Sequence, residues 1–368
     1  MSTTTVEVAA CRARQKRMLE LMQREQLDLV IVTQIEHVQY LAGPRFAWTF
    51  QPAAALTSDG RLTLVAPTRA PEVAAADEIV TYQAQKHSTL RNDQRQASSE
   101  VLAGALASRK YKRVGVEYSS CGQHLAAAFG AARFIDIEPA LYQMRRIKDP
   151  DELALIKKAI AATAKMYARA REMMRPGITE LEIFNELQSA AVLELGEMMT
   201  GTGNDYQCGS RGGAPRADRA AQAGQLYILD LGPAYRGYFA DNCRTIAVTD
   251  VDDKQLQAWS HIRRAFDHLE TTVKPGKRCD ELFREVEEIL RESPVGIFDH
   301  HLGHGIGLFP HEAPHLNPNW NDVFQEGEVF AAEPGLYAPE LRVGMRLENN
   351  YLVTKNGVEL LSDFPLEL

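Results

Sequence analysis

Apolar residues in the first 140 positions switch between two spacings. Residues 8–26 set Met18, Leu19, Leu21 and Met22 at helical intervals, and LDLVIVT (27–33) follows as a short apolar run of buried-strand length. AAALTSDGRLTLVAP (53–67) reads as two strands around Ser58-Asp59-Gly60, a hairpin signal. EIVTYQ (78–83), RVGVEY (113–118) and FIDIEP (134–139) add strands, with helical stretches such as 97–109 between them. Helix alternating with strand predicts an α/β layer domain of about 140 residues. No clustered acids, glycine-rich phosphate loop or nucleophile elbow occur in it, so it is assigned no chemistry. Its loop RFAWTF (45–50), with Phe46, Trp48 and Phe50, reads as core packing or as a lid.

The pattern changes at MRRIKDPDELALIKKA. Asp149 before Pro150, with Glu152 in the first turn, is a strong helix start, and that helix is expected to run to about Met174 and stop at Pro176-Gly177. Thr179 with Glu182 three residues on is a capping box that opens a second helix. The plan then repeats. A helix from about Asp253 to Val273 stops at Pro275-Gly276, and another follows over 279–292. A helix-helix-strand duplication would close two half-sheets around one cleft, with acids from both halves meeting there.

Between the helix pairs lies LYILDLGPAYRGYFADNCRTIAV (226–248), two apolar strands that each carry one aspartate where a hydrophobe is expected. With the turn centred between Tyr235 and Arg236, Ala234 opposes Gly237 and Asp230 opposes Asp241, their Cβ atoms roughly 5 Å apart. Two carboxylates that close among apolar flanks repel each other unless a cation sits between them. The competing reading is a loop with both aspartates solvated. After the second helix pair, DHHLGHGIGLFPHEAPHL (299–316) holds His300, His301, His304, His311 and His315 among glycines that let backbone approach a ligand. Glu333 in AAEPGLY and Glu348 in RLENNYLVT are acids in apolar strand contexts, costly unless neutralised. Asp230, Asp241, His304, Glu333 and Glu348 make an oxygen-rich, hard donor set. It suits Mn²⁺, Co²⁺, Fe²⁺ or catalytic Zn²⁺ rather than a cysteine-bound structural zinc. Four carboxylates are balanced better by two divalent ions than by one, as in two-metal hydrolases.

Composition narrows the classes. The chain has 368 residues, 45% hydrophobic and 24% charged, enough for two domains with ample core. A net charge of −8 argues against nucleic acid or an anionic membrane as partner. No apolar stretch approaches the roughly 18 residues of a membrane span, and MSTTTVEVAACRARQKR lacks a secretory core. Five scattered cysteines, never spaced CxxC, fit free thiols and a cytoplasmic location.

Asp230, the eleven-residue step to Asp241, HxxxHGIGxxxHE, EPGLY and RLE together resemble the pita-bread metallopeptidases, which include Xaa-Pro aminopeptidase, prolidase and creatinase. The resemblance covers about 145–365 closely and the N-terminal half more weakly. It implies an α/β (α+β) chain: a creatinase/prolidase-like domain over 1–145, then an internally duplicated pita-bread catalytic domain over 146–368. It implies two divalent ions, Mn²⁺ foremost, held by Asp230, Asp241, His304, Glu333 and Glu348. His300 and His311 would hold the substrate carbonyl and stabilise the tetrahedral intermediate, Glu333 would shuttle the proton, and Arg346 would stand behind the ligands. A homodimer is implied, with a neighbouring N-terminal domain narrowing the entrance to the cleft.

One departure stands out. Where relatives carry a histidine in a loop like SGxNxxxPH, CGSRGGAPR (208–216) presents Arg216. Its guanidinium either grips a substrate carboxylate bidentately or is an exposed charge. The leading expectation is a dinuclear metallohydrolase that cleaves peptides, of Xaa-Pro dipeptidase or aminopeptidase type. The same fold and site acting on a small-molecule amide or as a lyase, or a catalytically silent binding protein, are the alternatives.

Overall fold

The computed structural model describes residues 7–130, 132–203 and 205–368, and the chain divides into two units, Met1–Met144 and Arg145–Leu368. The first six residues of the N-terminal stretch read above lie outside the described residues.

In the first unit, helix α1 (Val8–Glu25) leads into β1 (Leu29–Val32), whose four residues are all buried. Helix α2 (Ile35–Ala42), the hairpin β2 (Ala53–Thr57) and β3 (Leu62–Pro67), and β4 (Glu78–Tyr82) follow. A two-residue ribbon, β5 (Gln85–Lys86) with β6 (Thr89–Leu90), precedes α3 (Gln94–Ala105), β7 (Arg113–Val116), α4 (Gln123–Phe129) and β8 (Arg133–Asp136), and α5 (Glu138–Arg146) runs across the division at Met144. The strands form one mixed sheet in the order β4-β3-β2-β1-β7-β8. Strands β1, β2 and β3 are buried throughout, which is why they read as continuous apolar runs rather than alternating ones. The hairpin forms at Ser58–Gly60 as its sequence predicts, with Gly60 at φ 89°. Of the RFAWTF aromatics, Phe50 packs against this unit's core while Trp48 is 85% exposed, so Trp48 is not a core residue.

The second unit runs α6 (Pro150–Met173), α7 (Glu180–Leu195), then β9 (Leu226–Leu231), β10 (Ala234–Tyr235), β11 (Tyr238–Phe239) and β12 (Asn242–Ala247). The order repeats with α8 (Asp253–Thr272), α9 (Cys279–Arg291), β13 (Gly303–Gly305), β14 (Glu312–Leu316), β15 (Val329–Ala332), β16 (Gly335–Ala338), β17 (Val343–Arg346), β18 (Asn349–Val353) and β19 (Val358–Leu360). Both Pro-Gly stops put glycine in the left-handed region, Gly177 at φ 85° and Gly276 at 92°. At the start of α7 the Thr179 hydroxyl accepts from the Glu182 amide and the Glu182 carboxylate accepts from the Thr179 amide, the reciprocal box its sequence signals. Helix α9 buries Leu282, Phe283, Val286 and Leu290 along one stripe, against Ile262, Phe266 and Leu269 of α8 and the sheet residues Phe330 and Met345. Each such side chain contributes about 1.5–3 kcal/mol on leaving water, which fixes the sheet that carries the acids.

The register of β9 with β12 differs from the sequence expectation. Asp230 pairs with Cys243 and Leu231 with Asn242, while Tyr235 pairs with Tyr238 around a turn at Arg236 (φ 50°) and Gly237 (φ 90°). Two consecutive positive φ values make a type I′ turn, the hairpin geometry that matches strand twist, and it moves the turn centre by one residue. Pairing therefore shifts by two, and a shift of two keeps each side chain on its own face. Asp241 thus lies diagonal to Asp230 on one face, just outside β12. Near it is Gly232, where an added Cβ would come within 3.5 Å of the Asp241 carboxylate.

Candidate metal centre

Local structure explains how each donor reaches the cleft. Asp230 sits near the end of β9, and Asp241 immediately precedes β12. His304 is the middle residue of β13, Glu333 follows β15, and Glu348 occupies the link between β17 and β18 rather than a strand interior. Carboxylate oxygens of Asp230, Asp241 and Glu348 lie within 4.8 Å of one another. The same holds for donor atoms of His304, Glu333 and Glu348, so Glu348 belongs to both groups. The His304 imidazole is oriented for ligation. Its Nδ1 lies 3.1 Å from the Gly305 carbonyl, which can only accept, so Nδ1 carries the proton and Nε2 keeps its lone pair. That Nε2 lies 3.7 Å from Asp241 and 3.6 Å from Glu333.

Without a cation this cluster is electrostatically unfavourable. Burial first, then the charges of Glu333 and Asp205, raise Asp230 to about 6 despite the pull of Arg346. Burial and the Asp230 charge push Asp241 well above the ordinary carboxylate range, and burial with the Asp241 charge does the same to Glu348. Glu348 Oε2 is buried with no hydrogen-bond partner among the described residues. An orphaned carboxylate oxygen among three more carboxylates and an imidazole lone pair fits divalent metal ions. Glu333 differs. Burial opposes its ionisation, yet the His301 hydrogen bond and the charges of His301, His304 and Arg346 hold it down at about 2.

Arg346 ties the acids together from behind. Its Nη2 donates to Asp230 and to Asp205, both at 2.7 Å, and its Nη1 donates to the Arg211 carbonyl and the Tyr337 hydroxyl. Asp205 was not singled out by the sequence. It lies beside Asp230 in an antiparallel bridge, accepts from the Gly213 amide at 2.6 Å, and so links Arg346 to the 209–213 loop.

The histidines divide. His301, whose position in the cluster carried no assigned role, lies 3.0 Å from Glu333, and that bond raises its pKa against the effect of burial. His311 stacks on His304 with ring centroids 3.7 Å apart and forms a donor group with Asp241 and His304. His300 spends both nitrogens within the fold: Nδ1 donates to the His301 carbonyl at 2.7 Å, so Nε2 accepts from the Tyr337 hydroxyl at 3.0 Å. Burial lowers His300 to about 4 and keeps it neutral. Held so, it orients Tyr337 and has no N–H left for a substrate oxygen. Arg216 is not brought to the cluster. Its fork closes on Glu180 of α7 through Nε at 3.1 Å and Nη2 at 2.5 Å, with a further bond to the Cys208 carbonyl, which leaves no free fork for a substrate carboxylate. One cavity holds two of the candidate donors, and a groove without any of them borders Tyr337. The cavity, of about 250 Å³, is lined by Asp205, Asp230, Asp241, Phe239, Pro310 and His311, and the open groove, of about 660 Å³, includes Tyr337 in its wall.

Comparison with known proteins places the chain in a family. Residues 154–355 match the model of metallopeptidase family M24, and residues 14–147 match the creatinase/prolidase N-terminal domain. The chain is 28% identical over 365 residues to a Xaa-Pro dipeptidase of Pyrococcus horikoshii, covering 96% of this chain and 97% of that one. It is 30% identical over 253 residues to the putative dipeptidase YkvY of Bacillus subtilis, covering 68% of this chain and 69% of the relative. The crystal structure of a prolidase from Pyrococcus horikoshii superposes with a TM-score of 0.81 at 25% identity, over 97% of this chain and 99% of the other. Aminopeptidase P of Escherichia coli shares the fold at a TM-score of 0.79 and 19% identity, over 97% of this chain and 95% of the other. The chain is a pita-bread metallopeptidase of family M24, carrying a creatinase/prolidase N-terminal domain ahead of its catalytic one.

Proposed function

We propose that this metallopeptidase is a dinuclear hydrolase of the Xaa-Pro dipeptidase or aminopeptidase type, with Asp230, Asp241, His304, Glu333 and Glu348 as its metal ligands. The observation that carries the reading is the pairing of an oriented His304 lone pair with four converging carboxylates, one oxygen of which has no other partner. Divalent ions bound there supply Lewis-acid polarisation of the scissile carbonyl and acidify water. The chain's own residues do the rest. Glu333, ionised at neutral pH, accepts the proton released on attack, and its hydrogen bond to His301 offers the next carrier. His311, which lines the acid-rich cavity, donates to the oxygen on which charge develops. Arg346 holds Asp230 in place. Peptide substrates follow from the names of the dipeptidase relatives. Mn²⁺ as working metal, a homodimer and a cytoplasmic location complete the proposal.

Among the described residues no helix is long and apolar enough to cross a membrane. The test is chelated, purified protein reloaded with Mn²⁺ or Co²⁺ and assayed on Xaa-Pro dipeptides, N-terminal X-Pro peptides and non-proline dipeptides. Metal-dependent release of the residue before proline is expected. Equal rates on proline and non-proline dipeptides would remove the Xaa-Pro part, and no peptide turnover with any metal would remove the whole.

A further inference from the structure

The wall shared by the metal centre and the open groove is Tyr337. Its hydroxyl bonds to His300 and Arg346, and its ring forms part of the groove. The two sides differ in charge. The cavity presents Asp205, Asp230 and Asp241, whereas among the described residues the groove's lining contains two arginines and no acid. Arg211 is already engaged: it pairs with Asp299 through both nitrogens and stacks over the Tyr337 ring at 3.7 Å. Arg342 is not so engaged. Its Nη1 donates to the Ala223 carbonyl at 3.1 Å, its side chain is exposed, and among the described residues no carboxylate pairs with it.

The backbone at this point is unusual. Arg342 holds φ 53° and the β-branched Val343 holds φ 105°, in the region that favours glycine. Such strain persists where the surroundings impose it, and it collects at ligand-binding positions. An arginine fork with spare donors in an acid-free groove is matched chemically by a carboxylate.

We infer that this groove takes the C-terminal carboxylate of a short peptide whose scissile bond lies at the metal centre, with Arg342 as its anchor. The inference rests on the peptidase reading above and adds the length and end-group of the substrate. Arg342 stands immediately before β17, four residues ahead of Arg346, so their backbones lie at most about 13 Å apart. An extended dipeptide spans only about 7 Å, and three or four residues span about 10–14 Å. Tri- and tetrapeptides with free carboxylates match that reach, and they are the substrates the inference assigns to the groove.

The test compares Ala-Pro-Ala and Ala-Pro-Ala-Ala, each as free acid and as C-terminal amide, on metal-loaded parent, Arg342→Ala and Arg342→Lys. Arg342 is exposed, and a matching thermal melt confirms folding. In the parent, amidation should raise KM about tenfold, the scale of a lost hydrogen bond to a charged group. Arg342→Ala should raise KM of the acids to that of the amides with kcat nearly constant, and lysine should recover part of the difference. If acid and amide share one KM in the parent, or if alanine shifts both equally, the assignment is wrong. If no peptide is cleaved, the peptidase reading fails and calorimetric titration with the same four peptides decides the groove. Tighter binding of acids, lost in Arg342→Ala, supports it, and equal binding of acid and amide overturns it.

Discussion

Replacing Asp230 by asparagine should stabilise the metal-free protein while disabling the loaded one. In the folded chain Asp230 titrates at about 6 against an ordinary 3.8, because burial and neighbouring acids outweigh the Arg346 contact. A rise of about two units, at 1.36 kcal/mol each, costs the folded state about 3 kcal/mol at pH 7. Asparagine keeps the shape and an acceptor for Arg346 but carries no charge, so it recovers about that amount. For a domain of this size, each kcal/mol moves Tm by about 2–4 °C, which places the variant about 6–12 °C above the parent in chelator. The sign follows from a folded pKa above the unfolded one. The cost is complete above pH 6, shrinks as pH falls, and is gone below the unfolded value near 3.8.

Mn²⁺, if bound as proposed, should reverse the order. A ligand at a hundred times its Kd adds about 2.7 kcal/mol to the form that binds it, and the variant has lost one of the donors. Calorimetric melts at pH 7 and pH 4, in chelator and in Mn²⁺, read all four conditions. A variant that melts at or below the parent in chelator at pH 7 refutes the electrostatic account. So does a gap of equal size at pH 4.

Three other outcomes are expected. His311→Ala should keep its metal content by elemental analysis and lose about 10²-fold in kcat, the scale of a lost oxyanion donor; loss of metal instead would make His311 a ligand. Asp205→Asn should lower kcat by about tenfold with KM little changed, because it loosens Arg346 and the 209–213 loop rather than a substrate contact, and Asp205→Glu should restore part of the rate. Arg216→Ala should destabilise by about 1–3 kcal/mol at pH 7 by leaving the buried Glu180 with backbone amide donors but no cation, a range reduced because Arg216 is a third exposed. Burial opposes the ionisation of Glu180, but Arg216 holds its pKa below the ordinary 4.5. The Arg216 contribution is therefore present above 4.5 and lost as pH falls through the folded value, which denaturant titrations at pH 7 and pH 3.5 will show.

What the sequence disclosed depended on how local each signal was. The Thr179 capping box, the Ser58–Gly60 hairpin and the paired Pro-Gly stops are set within a few residues, and each forms as written. The five candidate donors, which the fold brings together, were legible because acids in apolar strands and a histidine among glycines are costly without a purpose. The pairing of Asp230 with Asp241 was legible only in parity. Alternation fixes the face, and the turn chemistry of Arg236-Gly237 fixes the register, so a turn misplaced by one residue still left both carboxylates on one side.

Asp205 had no such signal. It stands in an irregular segment, and its meaning comes from Arg346, 141 positions away. Arg216 shows the limit from the other side. An arginine in place of an expected histidine marks a change in the site, but a charge in a sequence does not name its partner. The partner is Glu180, an acid in the first turn of α7 that local rules explain fully as complementing the helix dipole. Once Arg216 is committed there, an arginine fork free to recognise a substrate carboxylate has to be one without an acid. Around this centre Arg346 is held by Asp205 and Asp230 and Arg211 by Asp299. That elimination, together with the acid-free groove, is what turns attention from position 216 to Arg342.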